Sequence, residues 1–240
     1  MARRRATLAS GVAFSFPERN MFVGHIAVAL AAKQASPKTS LGWFVAAATM
    51  ADLLWPIFLL AGIEHVRLEP GATAFTPAVF QSYPWSHSLL MSVVWGLALA
   101  GLARWRGLET RATWLIALLV VSHWVLDFVT HAPDMPLWPG NSPKFGLGLW
   151  NSIPATLVIE GGMWIACLTL YLRARRPRNW VAALALWSLV VVVTLLWALG
   201  PWSPPPPSVG ALALVALVGG WITVPWAAWA DRGYVQRGAA

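Results

Sequence analysis

The chain has 240 residues, of which 58% are hydrophobic and 11% charged, and it carries 17 tryptophans. A soluble domain of this length would hold about a quarter charged residues, so the composition excludes one and points to an integral membrane protein. The formal charge of +8 would suggest nucleic acid in a soluble protein. Here the Lys and Arg residues stand in short clusters between apolar runs, the pattern of topology signals, and nucleic acid is excluded as a partner. The single Cys167 allows no intrachain disulfide.

Residues 1–20 hold Arg3, Arg4 and Arg5, a weak apolar patch and Pro17, and they differ from everything that follows. They read as a poorly ordered extension upstream of a start at Met21. From there, apolar runs cover about residues 22–33, 41–63, 84–105, 112–132, 153–173, 179–200 and 209–230. All but the first reach the ~20 residues that a bilayer core requires. The first reads as a half-helix or a helix packed inside the bundle. Breakers lie between the runs: Pro37, Gly71, Pro77, Gly107, Pro177 and the prolines from Pro204 to Pro207. The expected fold is all-α, a polytopic membrane bundle of six or seven transmembrane helices, with a metal-site core over residues 21–175 and two peripheral helices over 176–240. No internal repeat is visible, which disfavours the inverted-repeat transporters.

Loop charges give an orientation. Lys33 and Lys38, then Arg104, Arg106 and Arg111, then Arg173, Arg175, Arg176 and Arg178, and finally Arg232 and Arg237 follow the odd-numbered runs. The intervening loops hold only Arg67 and Lys144. By the positive-inside rule, Met21 lies outside and the C-terminus inside a bacterial-type cytoplasmic membrane. The inner half is expected to hold no buried ionisable residue.

The densest polar segment is SHWVLDFVTHAPD, from Ser122 to Asp134. His123, Asp127 and His131 are four residues apart and Asp134 three further on, so at ~100° per residue they share roughly 80° of arc on one helix. Two imidazoles and two carboxylates on one stripe are costly to bury, and a divalent metal ion compensates them. The bland alternative is a seam of Asp–His hydrogen bonds. His25 begins the first run, Asp52 lies midway along the second, His87 begins the third and Glu160 lies midway along the fifth. All fall at one level, in the outer half of the membrane. Ser86 and Ser88 read as helix caps, Asn151 as a cap or support, and His65 as exposed. Imidazole plus carboxylate without thiolate suits zinc first, with manganese or iron possible. The surplus of donors suggests one or two ions, two being bridged by Asp127 or Asp52, the arrangement that activates water against a phosphoester. The loops 64–83 and 134–152 are candidates for a lid or substrate mouth.

These residues also carry a resemblance. GHIAVAL around His25, the Asp52-bearing helix, SHS around His87 and SHWVLDFVTH together resemble the YdjM-like family of membrane-bound metal-dependent hydrolases, over about residues 21–165. That family is itself similar to zinc-dependent phospholipase C and P1 nuclease. The resemblance implies that His25, Asp52, His87, His123 and Asp127 hold metal, with His131 beside them. It further implies hydrolysis of an ester or phosphoester, in a lipid or lipid-linked substrate reached from the outer leaflet, with Asp134 or Glu160 taking the proton from water. This chain departs from the family in having Ala51, Asp52, Leu53 and Leu54 where PDxD is usual, and Ser82 where a further histidine is common. The later HxxxE pair of the phospholipase group is missing, since Thr156 stands four residues before Glu160. The competing reading is a transporter for a divalent ion or a proton-coupled solute.

Overall fold

The computed structural model describes residues 22–237, so the extension at 1–20 and the start at Met21 lie outside the described residues. In chain order the elements are α1 (Phe22–Ala35), α2 (Leu41–Ala48), α3 (Met50–Leu60), β1 (His65–Leu68), β2 (Ala78–Ser82), α4 (Pro84–His87), α5 (Leu89–Trp105), α6 (Thr110–Thr130), β3 (Met135–Pro136), β4 (Lys144–Phe145), α7 (Ile153–Ala174), β5 (Arg175–Pro177), α8 (Trp180–Leu199), α9 (Val209–Arg232) and β6 (Tyr234–Gln236). The fold is mostly helical and not purely so: β1–β2, β3–β4 and β5–β6 are short antiparallel ribbons. The first forms because Val66 and Phe80 alternate with less buried neighbours and can both turn inward.

Among the described residues, four helical segments are long and apolar enough to cross a membrane: Thr110–Thr130, Ile153–Ala174, Trp180–Trp202 and Val209–Arg232. The pair α2 and α3, bent by 55° at Thr49, makes a fifth if it is taken as one span. The other two apolar runs fall short of this length for local reasons. The run 84–105 breaks at Ser88, whose backbone is extended and whose Oγ accepts from the Met91 N–H as the cap of α5, leaving that helix 17 residues. At 14 residues, α1 packs inside the bundle against α7 and α2, with Val23, Ile26, Ala27 and Leu30 buried. Close crossings need small residues. A Cβ at Gly96 would stand 3.0 Å from the Ala117 carbonyl oxygen, so α5 and α6 touch backbone to backbone there. Leu97, Leu118, Val158, Ile165 and Leu184 are exposed on the outer faces, as a lipid-facing surface requires.

The end of the bundle that the loop charges assign to the inner half, expected to hold no buried ionisable residue, does hold some. Lys33, Asp231 and Arg175 are all buried. Lys33 Nζ lies 2.7 Å from Asp231 Oδ2 and also donates to the Thr39 carbonyl. Leu41 N and Tyr171 Oη donate to the same carboxylate, at 3.1 and 3.0 Å, and Arg175 Nη1 stands 3.7 Å from it. Residues read as loop charges thus fold in and tie α1, α2, α7 and α9 together at the end of α1 remote from His25. Replacing Asp231 by Ala strands two buried cations. It should lower stability by about 3–5 kcal/mol, read as thermal unfolding in detergent, and a loss below about 1 kcal/mol would contradict this role.

Candidate metal centre

The stripe on α6 survives in its first half. His123 and Asp127 are one turn apart on the buried face, with His123 Nε2 3.1 Å from Asp127 Oδ2. From α1, His25 Nε2 approaches Asp127 Oδ1 to 3.2 Å, and its ring stacks on His123 at 3.7 Å with planes 9° apart. The bend at Thr49, where the Thr49 Oγ bonds back to the Val45 carbonyl at 2.8 Å, carries Asp52 into the first turn of α3 and toward the same point. The break in the run 84–105 does likewise for His87, whose Nε2 lies 3.6 Å from Asp52 Oδ1 and 3.8 Å from Asp127 Oδ2. Two groups can offer donor atoms all within 4.8 Å of one another: His25, Asp52 and His123, and His87, His123 and Asp127. The Asp52 side chain is 20% exposed, whereas the other four are nearly sealed.

The hydrogen-bond partners decide what the rings offer. His123 Nδ1 lies 2.8 Å from the Ala48 carbonyl oxygen, at the end of α2. A carbonyl only accepts, so Nδ1 carries a proton, and in the neutral ring Nε2 is left as a lone pair. That Nε2 has no hydrogen-bond partner among the described residues, although Asp127 Oδ2 is 3.1 Å away, and His25 Nδ1 has none either. A lone pair facing a carboxylate in a buried space is repulsive unless a proton or a metal cation lies between them. The space is there: a cavity of about 10 Å³ is lined by His25, Asp52, His87, Asp127 and His131, with Trp55, Phe80 and Trp150 as its apolar wall. That is close to what one water molecule occupies. The donor set, the orphaned nitrogens and the cavity fit a divalent ion.

His131 and Asp134 do not continue the stripe. Pro133 disfavours helix at the residue before it, α6 ends at Thr130, and His131 is extended. His131 lines the cavity but belongs to neither donor group. Its Nδ1 lies 3.1 Å from Asp134 Oδ1, which also accepts from Tyr83 Oη at 2.6 Å. Asp134 therefore stands behind His131, outside the cavity. Burial, reinforced by the Asp134 carboxylate, pushes the Tyr83 hydroxyl well above its ordinary pKa, so it remains a donor. Glu160 is buried on α7 behind Trp150, whose Nε1 donates to Oε1 at 3.3 Å, while Oε2 has no hydrogen-bond partner among the described residues. The Trp150 ring lines the cavity and stands between it and Glu160, tilted by 40° against His131 with centroids 4.5 Å apart. Asn151 and His65 are exposed. Of the serines beside His87, Ser88 is a cap, but Ser86 turns its Oγ to 2.7 Å from His87 Nδ1.

A sequence model of the YdjM inner membrane protein family matches residues 20–201. The chain belongs to that family. No curated protein and no solved structure matches it. Several apolar helices and membership in an inner membrane family together make it a multi-pass membrane protein. The part matched to YdjM takes in every residue around the cavity and ends before α9, which lines none of it.

Sequence reasoning gave Tyr83, Trp150 and the Ala48 carbonyl no part in the site, because each acts through a contact across the fold with no motif to announce it; Trp150 read as an outer-belt tryptophan and is instead buried. In this YdjM family member the loops 64–83 and 134–152 close over the cavity together. Phe75 N donates to the Trp150 carbonyl at 3.0 Å, and the N–H groups of Leu147 and Gly148 satisfy the Phe128 and His131 carbonyls, at 2.8 and 2.7 Å, past the end of α6. Gly146 is pressed so closely on Ala132 that a Cβ would overlap its carbonyl. Gly146→Ala should therefore speed amide hydrogen exchange at Leu147 and Gly148 by about tenfold or more, while exchange in α8 stays unchanged; equal protection in both proteins would contradict this closure.

Proposed function

We propose that the protein is a membrane-embedded metal-dependent hydrolase of an ester or phosphoester, in a lipid or lipid-linked substrate. The observation that carries the reading is the buried Nε2 of His123, 3.1 Å from Asp127 Oδ2 and without a hydrogen-bond partner among the described residues, beside a small cavity that Asp127 lines. His87, His123 and Asp127, all buried, would hold the ion. Both donor groups use His123, and its Nδ1 is committed to Ala48. One nitrogen lone pair serves one ion, which favours a single ion over two. Zinc suits two imidazoles and a carboxylate, with manganese or iron as the other oxygen-tolerant choices. A bound divalent ion supplies Lewis acidity, acidifying water and polarising the ester oxygen.

The remaining residues then take roles by position. Asp52, the accessible carboxylate of the cavity, lies beside both imidazoles and accepts the proton of the attacking water at Oδ1. Asp134, expected in that role, orients His131 instead, and Glu160 is screened by Trp150. His25 packs flat on His123 and fixes its plane. The basic clusters at Arg104, Arg173 and Arg232 stand at the helix ends opposite the cavity, which supports an extracytoplasmic site by the positive-inside rule. Exposed Trp85 and Trp138 at the cavity end suit the headgroup level of the bilayer. The similarity to zinc-dependent phospholipase C and P1 nuclease is part of this proposal, as are six or seven spans counting α1 and α5.

Transport gains one observation, the buried Lys33–Asp231 pair. Between that pair and the cavity, however, lie Ile26, Leu30, Leu41, Phe44 and Val45, all buried and apolar, which offer no relay. The test is elemental analysis of chelator-free protein, with turnover of phosphoester and lipid-ester substrates. Wild type should hold about one equivalent of zinc or manganese, and His123→Ala and Asp127→Ala should lose it. Asp52→Asn should keep the metal and lose about 100-fold or more in turnover. No bound metal and no uptake of either ion would overturn the proposal.

A further inference from the structure

We infer that Glu64, acting through Ser86, is the positioning residue that sets which nitrogen of His87 is free to bind metal. The inference rests on the metal-centre reading above. Glu64 precedes β1 in a stretch whose neighbours Ile63 and His65 are exposed, yet it is itself buried. A buried carboxylate is costly unless its lone pairs are satisfied, and those of Glu64 are. Oε1 accepts from Trp85 N and from Ser86 N, both at 2.8 Å, and Oε2 accepts from Ser86 Oγ at 2.6 Å.

The consequence follows from proton counting. Ser86 Oγ has one proton and two close partners, Glu64 Oε2 at 2.6 Å and His87 Nδ1 at 2.7 Å, while the Tyr83 carbonyl is farther at 3.4 Å. A carboxylate cannot donate, so the serine proton points to Glu64 and Ser86 Oγ must accept from His87. His87 is thereby held with its proton on Nδ1. Its Nε2, which faces Asp52 and Asp127, presents a lone pair to the cavity. This is the carboxylate support of a ligand histidine, extended by one hydroxyl.

Glu64→Gln separates this role from helix capping. The Gln amide oxygen keeps the two backbone N–H bonds, because its NH₂ facing them would be repulsive. The NH₂ then lies where Oε2 was and donates to Ser86 Oγ. The serine proton turns to His87 Nδ1, and the imidazole proton moves to Nε2, where it blocks ligation. One isosteric change thus reverses the polarity of the whole relay.

The experiment uses the full chain in nanodiscs, metal-free and above the ordinary imidazole titration range, with ¹⁵N-labelled histidine, and the His87 signals assigned by their loss in His87→Gln. Wild type should show Nδ1–H and Glu64→Gln should show Nε2–H, with thermal unfolding little changed. Cobalt(II) alone, titrated by its visible absorption, should bind about 10- to 100-fold more weakly to Glu64→Gln. In a Ser86→Ala background, Glu64→Gln should have no further effect on either readout. An unchanged His87 tautomer in Glu64→Gln overturns the inference, whatever the metal does. If the tautomer switches but wild type binds no cobalt, the relay stands and the metal-centre reading fails. Should Glu64→Gln not fold, Ser86→Ala alone carries the test: mixed tautomers are expected, and a His87 still held as Nδ1–H overturns it.

Discussion

Asp127 lies buried with the Nε2 atoms of His25 and His123 at 3.2 and 3.1 Å, and the arrangement of the surrounding helices depends on that carboxylate. A charge in an apolar bundle costs several kcal/mol unless compensated, so whatever approaches it must bring protons or a cation. α1 brings His25, the bent α2–α3 pair brings Asp52, and the short α4 brings His87. Each does so at a break or a beginning, where the backbone is free to change direction.

The chain then fixes its imidazoles from behind. The Ala48 carbonyl, the Asp134 carboxylate and the Ser86 hydroxyl each stand at the Nδ1 of one histidine, His123, His131 and His87 respectively. Three partners of different chemistry, from three separate elements, all engage the same ring nitrogen. Such supports also raise ligand basicity and restrict ring rotation, which is what a preorganised metal site requires. At the far end of α1 a second buried polar cluster, centred on Asp231, locks α9 onto α1, α2 and α7. The two clusters are separated by apolar core, so the first can be open to substrate while the second serves stability.

Much of the centre was legible because helical periodicity is a local signal. His123 and Asp127, four residues apart, had to share a face, and polar residues in an otherwise lipid-like chain stood out. Periodicity ceased to be informative at Pro133, which ended α6 and turned His131 and Asp134 from ligand candidates on a stripe into a ligand-like ring and its support. The bend at Thr49 has no Pro or Gly to mark it. Glu64 sits among exposed residues, and only the approach of α4 buries it. Lys33 and Asp231 are 198 positions apart; Lys33 resembled an ordinary topology charge and Asp231 drew no attention until the fold joined them. The short ribbons escaped for a related reason: strands of two to five residues are too short for alternation to announce them.

The central claim is that these histidines and aspartates form a metal centre. It is tested most directly by X-ray absorption at the zinc and manganese edges on protein purified from membranes without chelator. A first shell of nitrogen and oxygen at roughly 2.0–2.2 Å, with scattering from two or more imidazoles and no sulfur at about 2.3 Å, is the predicted result. Absence of any transition-metal edge after zinc and manganese are supplied, or a shell without imidazole, would contradict the account and leave the cluster as a hydrogen-bonded seam.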